Sequence, residues 1–104
     1  MSIDQIVKRL YSKVEHTMVP GPDFAFQFHL TGADGGDFYA KSTDGRVEMA
    51  AESLEDYQIK VTLAKQDLMD LLDGKIDAMS LYFQGKVRIE GDIALAMKLA
   101  NLFR

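Results

Sequence analysis

The chain has 104 residues, 47% of them apolar, and no cysteine; that is the composition of one folded core, and it excludes disulfides, thiolate catalysis and cysteine-held metals. The formal charge is −4 and the Lys and Arg residues are scattered, which argues against a nucleic-acid partner, since phosphates need a concentrated basic patch. No apolar run approaches the roughly 20 residues of a membrane span, and Met1-Ser2-Ile3-Asp4 lacks the features of a secretory signal, so a cytoplasmic protein with one domain over residues 1–104 is expected.

Ile3, Ile6, Val7, Leu10, Tyr11 and Val14 recur at helical spacing, and Ser2 with Gln5 forms the pattern of a capping box. Pro20-Gly21-Pro22 ends any continuation. From Asp23 to Leu30 the chain alternates strictly, with Phe24, Phe26, Phe28 and Leu30 on one face and Asp23, Ala25, Gln27 and His29 on the other. Gly32 to Gly36 reads as a turn, Asp37 to Ser42 as a second strand, and Asp44-Gly45 as a hairpin leading into Arg46 to Ala50. A fourth strand carries Tyr57, Ile59, Val61 and Leu63 on one face. The period then changes. Leu68, Leu71 and Leu72 suit a short helix stopped by Gly74, and Ile76 to Phe83 a further helical turn. Lys86 to Glu90 alternates again with Val87 and Ile89 inward, and Asp92 is placed to cap a last helix. A helix, four antiparallel strands, short helices, a strand and a helix imply an α+β fold with helices on one face of a mostly antiparallel, five-stranded sheet.

The last helix is unusual. At about 100° per residue, Ala94, Lys98 and Asn101 share one narrow sector, while Ile93, Leu95, Ala96, Met97, Leu99, Ala100, Leu102 and Phe103 cover roughly the remaining 220°. A surface helix needs an apolar stripe of only about 100°. The excess is explained by deep wedging in a core, by a dimer contact or by an apolar molecule held against the helix.

The run Gly85-Lys86-Val87-Arg88-Ile89-Glu90-Gly91-Asp92, followed by Ala94-Leu95-Ala96-Met97-Lys98-Leu99, is similar to the C-terminal signature of the sterol carrier protein 2 family. Phe26-Gln27-Phe28 resembles that family's first strand. Val61-Thr62-Leu63, Asp67-Leu68 and Leu72-Asp73-Gly74-Lys75 resemble its passage from strand to helix. The resemblance covers nearly the whole chain. It implies a five-stranded sheet with helices on one face, an apolar tunnel between them, and carriage of sterols, fatty acids, acyl-CoAs or other lipids without catalytic residues or cofactors. The chain lacks the peroxisomal ending of the animal carriers. Candidate tunnel residues are Phe26, Phe28, Leu72, Met79, Phe83, Ile93, Met97 and Ala100; Met79 and Met97 are adaptable enough to accept several lipid shapes. A transient contact with a membrane or an enzyme, and a monomer or weak homodimer, accompany this reading. The alternative is a protein-interaction or dimerisation domain, possessing the same apolar helix, that serves a lipid-metabolising enzyme.

Other signals point to scaffold. His29 lies on the polar face of the first strand and His16 near the end of the first helix, neither with a partner at metal or triad spacing. Asp67, Asp70, Asp73 and Asp77 lack the spacing of a calcium loop and read as a solvated helix face. Gly32 to Gly36 precedes a strand, whereas a phosphate cradle precedes a helix.

Overall fold

The structure is a computed structural model that describes residues 1–19 and 21–102, with side chains described as far as Lys98 apart from Pro20. Its elements in order are α1 (Ile3–Tyr11), β1 (Ala25–Thr31), β2 (Gly36–Thr43), β3 (Arg46–Ala50), β4 (Ile59–Ala64), α2 (Lys65–Leu72), α3 (Ala78–Phe83), β5 (Val87–Glu90) and α4 (Ile93–Leu102). The strands form one sheet in the order β3-β2-β1-β4-β5. Three of its four pairings are antiparallel, but β4 runs parallel to β1. That corrects the expectation of four antiparallel strands in succession. A parallel partner needs a long crossover, and here the β2–β3 hairpin with the segment 51–58 supplies it.

The alternation read from the sequence becomes rows across the inner face. Met49, Ala40, Phe26 and Ile59 align in one row, Phe38, Phe28, Val61 and Ile89 in the next, and Leu30, Leu63 and Val87 in a third. Ile6, Val7, Leu10 and Val14 from the N-terminal segment, Leu68 and Leu72 from α2, and Ala96 from α4 join these rows in one core. Ser42 is the buried polar residue of the inner face, and its hydroxyl accepts the Phe24 backbone N–H at 2.9 Å. On the outer face the segment 51–58 lies over β1: Leu54 N–H donates to Gln27 Oε1 at 2.6 Å, and Gln27 Nε2 donates to the Phe38 carbonyl at 3.0 Å.

The local signals account for the element ends. Ser2 and Gln5 form the capping box of α1, with Gln5 N–H donating to Ser2 Oγ and Ser2 N–H to Gln5 Oε1. The helix stops at Tyr11 and hydrogen-bonded turns carry the chain on, so Val14 reaches the core and His16 projects into solvent beside Glu15. Asp44 and Gly45 both have positive φ, as a two-residue hairpin of this type requires. Tyr57 lies before β4 and is exposed. Among the described residues no helix is long and apolar enough to cross a membrane.

Gly91 joins β5 to α4 with φ near +121°, and a Cβ there would stand 2.5 Å from the Gln58 carbonyl oxygen and 3.3 Å from Ile59 Cα. Neither obstacle is a flexible side chain. Gly91→Ala is expected to cost about 2–4 kcal/mol of unfolding free energy, read from urea denaturation of the two proteins. An unchanged midpoint would show that the turn relaxes freely.

Candidate ligand-binding site

Between the sheet and the helices over β4 and β5 lies a partly open cavity of about 100 Å³. Its floor is Phe26 and Phe28 of β1, Phe38 of β2, Val61 and Leu63 of β4, and Val87 and Ile89 of β5. Leu10 of α1, Leu68 and Leu71 of α2, Ala78 of α3, and Ala96 and Met97 of α4 close it. All thirteen lining residues are apolar. Phe28 is stacked on Phe38 with ring centroids 4.6 Å apart and planes within 3° of parallel, which fixes the middle of the floor.

Of the residues expected to line a tunnel, Phe26, Phe28 and Met97 stand in this wall. Leu72 is buried in the core beside it; Leu71, one residue earlier, faces the cavity. Met79, Phe83 and Ile93 are exposed and do not line the cavity. In α3 the one buried side chain is Leu81, so Met79 and Phe83 fall on the side turned away from the sheet. Ala100 lies beyond the described side chains, as do Leu99, Asn101 and Leu102. The described residues surround a partly open cavity smaller than the ~150 Å³ holes that admit benzene. Sequence reasoning missed Leu10, Phe38, Val61, Leu63, Leu68, Leu71, Ala78, Val87, Ile89 and Ala96 as wall residues; the inward strand positions among them carried a signal in their alternation.

A second and larger depression, about 640 Å³, lies between the end of α1 and β3. Lys8, Glu15, His16, Arg46 and Glu48 line it together with Val7, Tyr11 and Met49. Size favours this groove, but a hydrocarbon gains only from apolar surface, and charges on the walls would lose hydration. The smaller cavity is therefore the candidate site.

His29 has a partner that the sequence did not reveal. Its Nδ1 lies 2.6 Å from Asp37 Oδ1 across the β1–β2 pairing, and Ser53 Oγ donates to Asp37 Oδ2 at 3.3 Å. The serine meets the carboxylate and not the imidazole, so no Ser-His relay forms, and the group sits on the face of the sheet opposite the cavity. Among the described residues no cluster of His, Asp or Glu has the makings of a metal site.

The family model described as the SCP-2 sterol transfer family matches residues 4–104. The chain belongs to the SCP-2 family. It is 27% identical over 103 residues to hydroxysteroid dehydrogenase-like protein 2 of Rattus norvegicus, a match covering 97% of this chain and 20% of that protein. It is 32% identical over 80 residues to sterol carrier protein 2 of Gallus gallus, covering 74% of this chain and 15% of that protein. The chain thus spans a fifth or less of the length of these curated relatives. The solution structure of palmitated SCP2L2 from Aedes aegypti is 26% identical and superposes with a TM-score of 0.76, covering 100% of this chain and 96% of that one.

In this SCP-2 family chain an ion pair ties α1 to the end of α2. Arg9 of α1 donates to Asp73 Oδ1 at 2.6 Å and to the Leu72 carbonyl at 3.2 Å, anchoring the end of α2. The hydrogen bond from Arg9 holds the Asp73 carboxyl below its usual value near 3.8, and the charges of Arg9 and Lys75 add to that effect. A carboxylate with a depressed folded-state pKa contributes stability above its unfolded pKa and loses it as pH falls through the lower folded value. Asp73→Asn is therefore expected to melt below the parent at pH 7, with the gap closing below about pH 4. Melting curves across that range check it; a gap that persists in acid would assign the loss to packing.

Proposed function

We propose that residues 1–104 form one lipid-binding unit, which holds the apolar tail of a lipid in the cavity of β1, β4, β5, α2 and α4 and carries or presents it without chemistry of its own. The observation that carries this reading is the wall itself: thirteen apolar residues around an unfilled space in a small protein. Phe26, Phe28 and Met97 are its proposed contacts. Cores of this kind are normally packed to the density of organic crystals, so a cavity kept open costs stability that function can repay. Membership of a family described by sterol transfer and likeness to a palmitated homologue support the same reading. The lack of cysteine suits a reducing, cytoplasmic setting, and the His29–Asp37 pair, remote from the cavity, serves the sheet.

Energetics agree. Burying about 14 methylenes gains roughly 11 kcal/mol gross at ~0.8 kcal/mol each. Ordering the chain and losing its translational freedom take back several kcal/mol. The net is compatible with affinity near micromolar, which suits capture and release. Because the cavity is smaller than such a tail, uptake requires the helices over it to move outward.

Titration with a fluorescent fatty acid in vesicle-free solution tests the proposal. The parent is expected to bind with a Kd of about 1 μM. Ala78→Leu places a larger side chain at the cavity wall, and is expected to weaken binding about tenfold or more while melting within a few degrees of the parent. Met97→Asp is expected to weaken it similarly by placing a charge in the wall. No binding by the parent, together with a bare protein mass in native mass spectrometry, would overturn the reading.

A further inference from the structure

The floor of the cavity contains one register row that crosses four neighbouring strands: Phe38 of β2, Phe28 of β1, Val61 of β4 and Ile89 of β5. The fifth strand, β3, contributes no lining residue. What ends the floor at β2 is α1. This helix packs on β2 and β3, and it sends one residue, Leu10, into the cavity wall. Leu10 is 4% exposed, and Ile6 and Phe38 around it are fully buried. The stack of Phe38 on Phe28 holds the floor beneath it in place. All of these side chains are among the described ones, and together they close the β2 end with packed core.

The same end offers nothing to a head group. Phe28, Phe38 and Leu10 carry no polar side-chain atom, and Arg9, the neighbour of Leu10 in α1, directs its guanidinium to Asp73 and the Leu72 carbonyl. A carboxylate brought here would lose its hydration and find no partner, whereas a methyl group loses nothing. A tail therefore lies with its methyl end at Leu10 and its head toward β5. The sheet sets a length for it. From β2 to the outer side of β5 is about three and a half strand spacings of ~4.8 Å, or about 17 Å. A zigzag of carbon–carbon bonds of about 1.5 Å at about 111° advances ~1.25 Å per carbon, so about 14 carbons cover that distance. Each methylene within it tightens binding by up to about fourfold, and those beyond it stay in water and add nothing.

We propose that Leu10, set over Phe38, is the stop that determines how long an unbranched acyl tail the cavity takes, with the tail lying methyl end first along Ile89, Val61 and Phe28. This specificity rests on the carrier reading and adds to it an orientation and a chain length. Displacement of the fluorescent fatty acid by unbranched saturated acids of about 10 to 18 carbons, each below its micelle concentration, tests it. For the parent, affinity is expected to rise with chain length to about 14 carbons and then level off. Leu10→Ala is expected to move the levelling point outward by about two carbons, and Leu10→Val, which removes a single methylene and spares the fold, by about one. Leu71→Ala trims a wall residue of α2 over β4, away from the β2 end, and is expected to leave the levelling point where it is. Far-UV circular dichroism and melting curves confirm that the variants fold. A side chain that merely packs would, when trimmed, weaken every chain length alike, and that outcome overturns the proposal. Affinity of the parent that climbs evenly to 18 carbons overturns the stop, and a levelling point unmoved in the folded Leu10 variants overturns its assignment to Leu10. In both cases the carrier reading stands. Failure of the parent to bind any of the acids or the fluorescent probe removes the carrier reading, and the stop with it.

Discussion

Because β4 runs parallel to β1, the chain cannot pass between them through a tight turn; it must travel the length of the sheet, and the path it takes organises both faces. The β2–β3 hairpin is built on one side of β1, and the segment 51–58 then crosses the outer face to start β4 on the other side. β1 is left at the centre. Its inward residues Phe26, Phe28 and Leu30 are flanked on both sides, by Ala40 and Phe38 from β2 and by Ile59, Val61 and Leu63 from β4. Its outward Gln27 is covered by the crossing segment, which explains how an amide on the polar face comes to be buried with both ends of its side chain bonded.

The helices then divide the inner face unequally. α1 packs on β2 and β3 and closes that half, with Ile6 and Phe38 fully buried. α2 lies on β4, while α3 and α4 lie on β5. Where this second group faces the floor of Phe28, Val61 and Ile89, two of the covering residues are alanines, Ala78 and Ala96. Short side chains above large ones keep the sheet and helices apart without filling the interval. The cavity is thus the product of which residues face the sheet; of the apolar residues of α4 whose side chains are described, Ala96 and Met97 lie along the cavity, Leu95 against the core, and Ile93 is exposed.

Much of this was legible in the sequence, for physical reasons that also mark the limits. Period-two alternation over residues 23–30 and 86–90 determined which side chains face inward, because a strand has only two faces. Ser2-Gln5, Asp44-Gly45 and Asp92 are local chemistry, and each closes a turn or cap within a few residues. The pairing of β1 with β4 is not local: nothing in residues 59–64 distinguishes a parallel from an antiparallel partner. α3 spans only six residues and is apolar on most sides, so its period could not say that Leu81 turns in while Met79 and Phe83 turn out. Likewise Leu71 and Leu72 differ by one step of about 100° on the same helix, enough to separate cavity from core. His29 acquired Asp37 through strand register, which appears only when the hairpin is closed.

The family-like run of residues 85–99 combines two different mechanical roles. Its first half is fixed. β5 is bonded to β4, and Gly91 lies against the Gln58 carbonyl at a distance that leaves no room for a side chain. Gln58 is in turn held by β1, donating its N–H to the Ala25 carbonyl at 2.9 Å and accepting the Ala25 N–H on Oε1 at 3.0 Å. The start of β1, the end of the crossing segment and the turn into α4 therefore form one bonded unit. Beyond Asp92 the restraint changes character. The cap fixes where α4 begins, but the helix meets the sheet through Leu95, Ala96 and Met97, whose contacts are apolar and have no directional preference. An outward shift of α4 breaks no hydrogen bond to the sheet among the described residues, and a lipid tail entering beneath it would offer these side chains apolar surface in place of the sheet. Among the described residues α4 is thus capped at its start and seated by apolar contacts beyond it, and the proposed uptake of a ligand larger than the 100 Å³ cavity would draw on that difference.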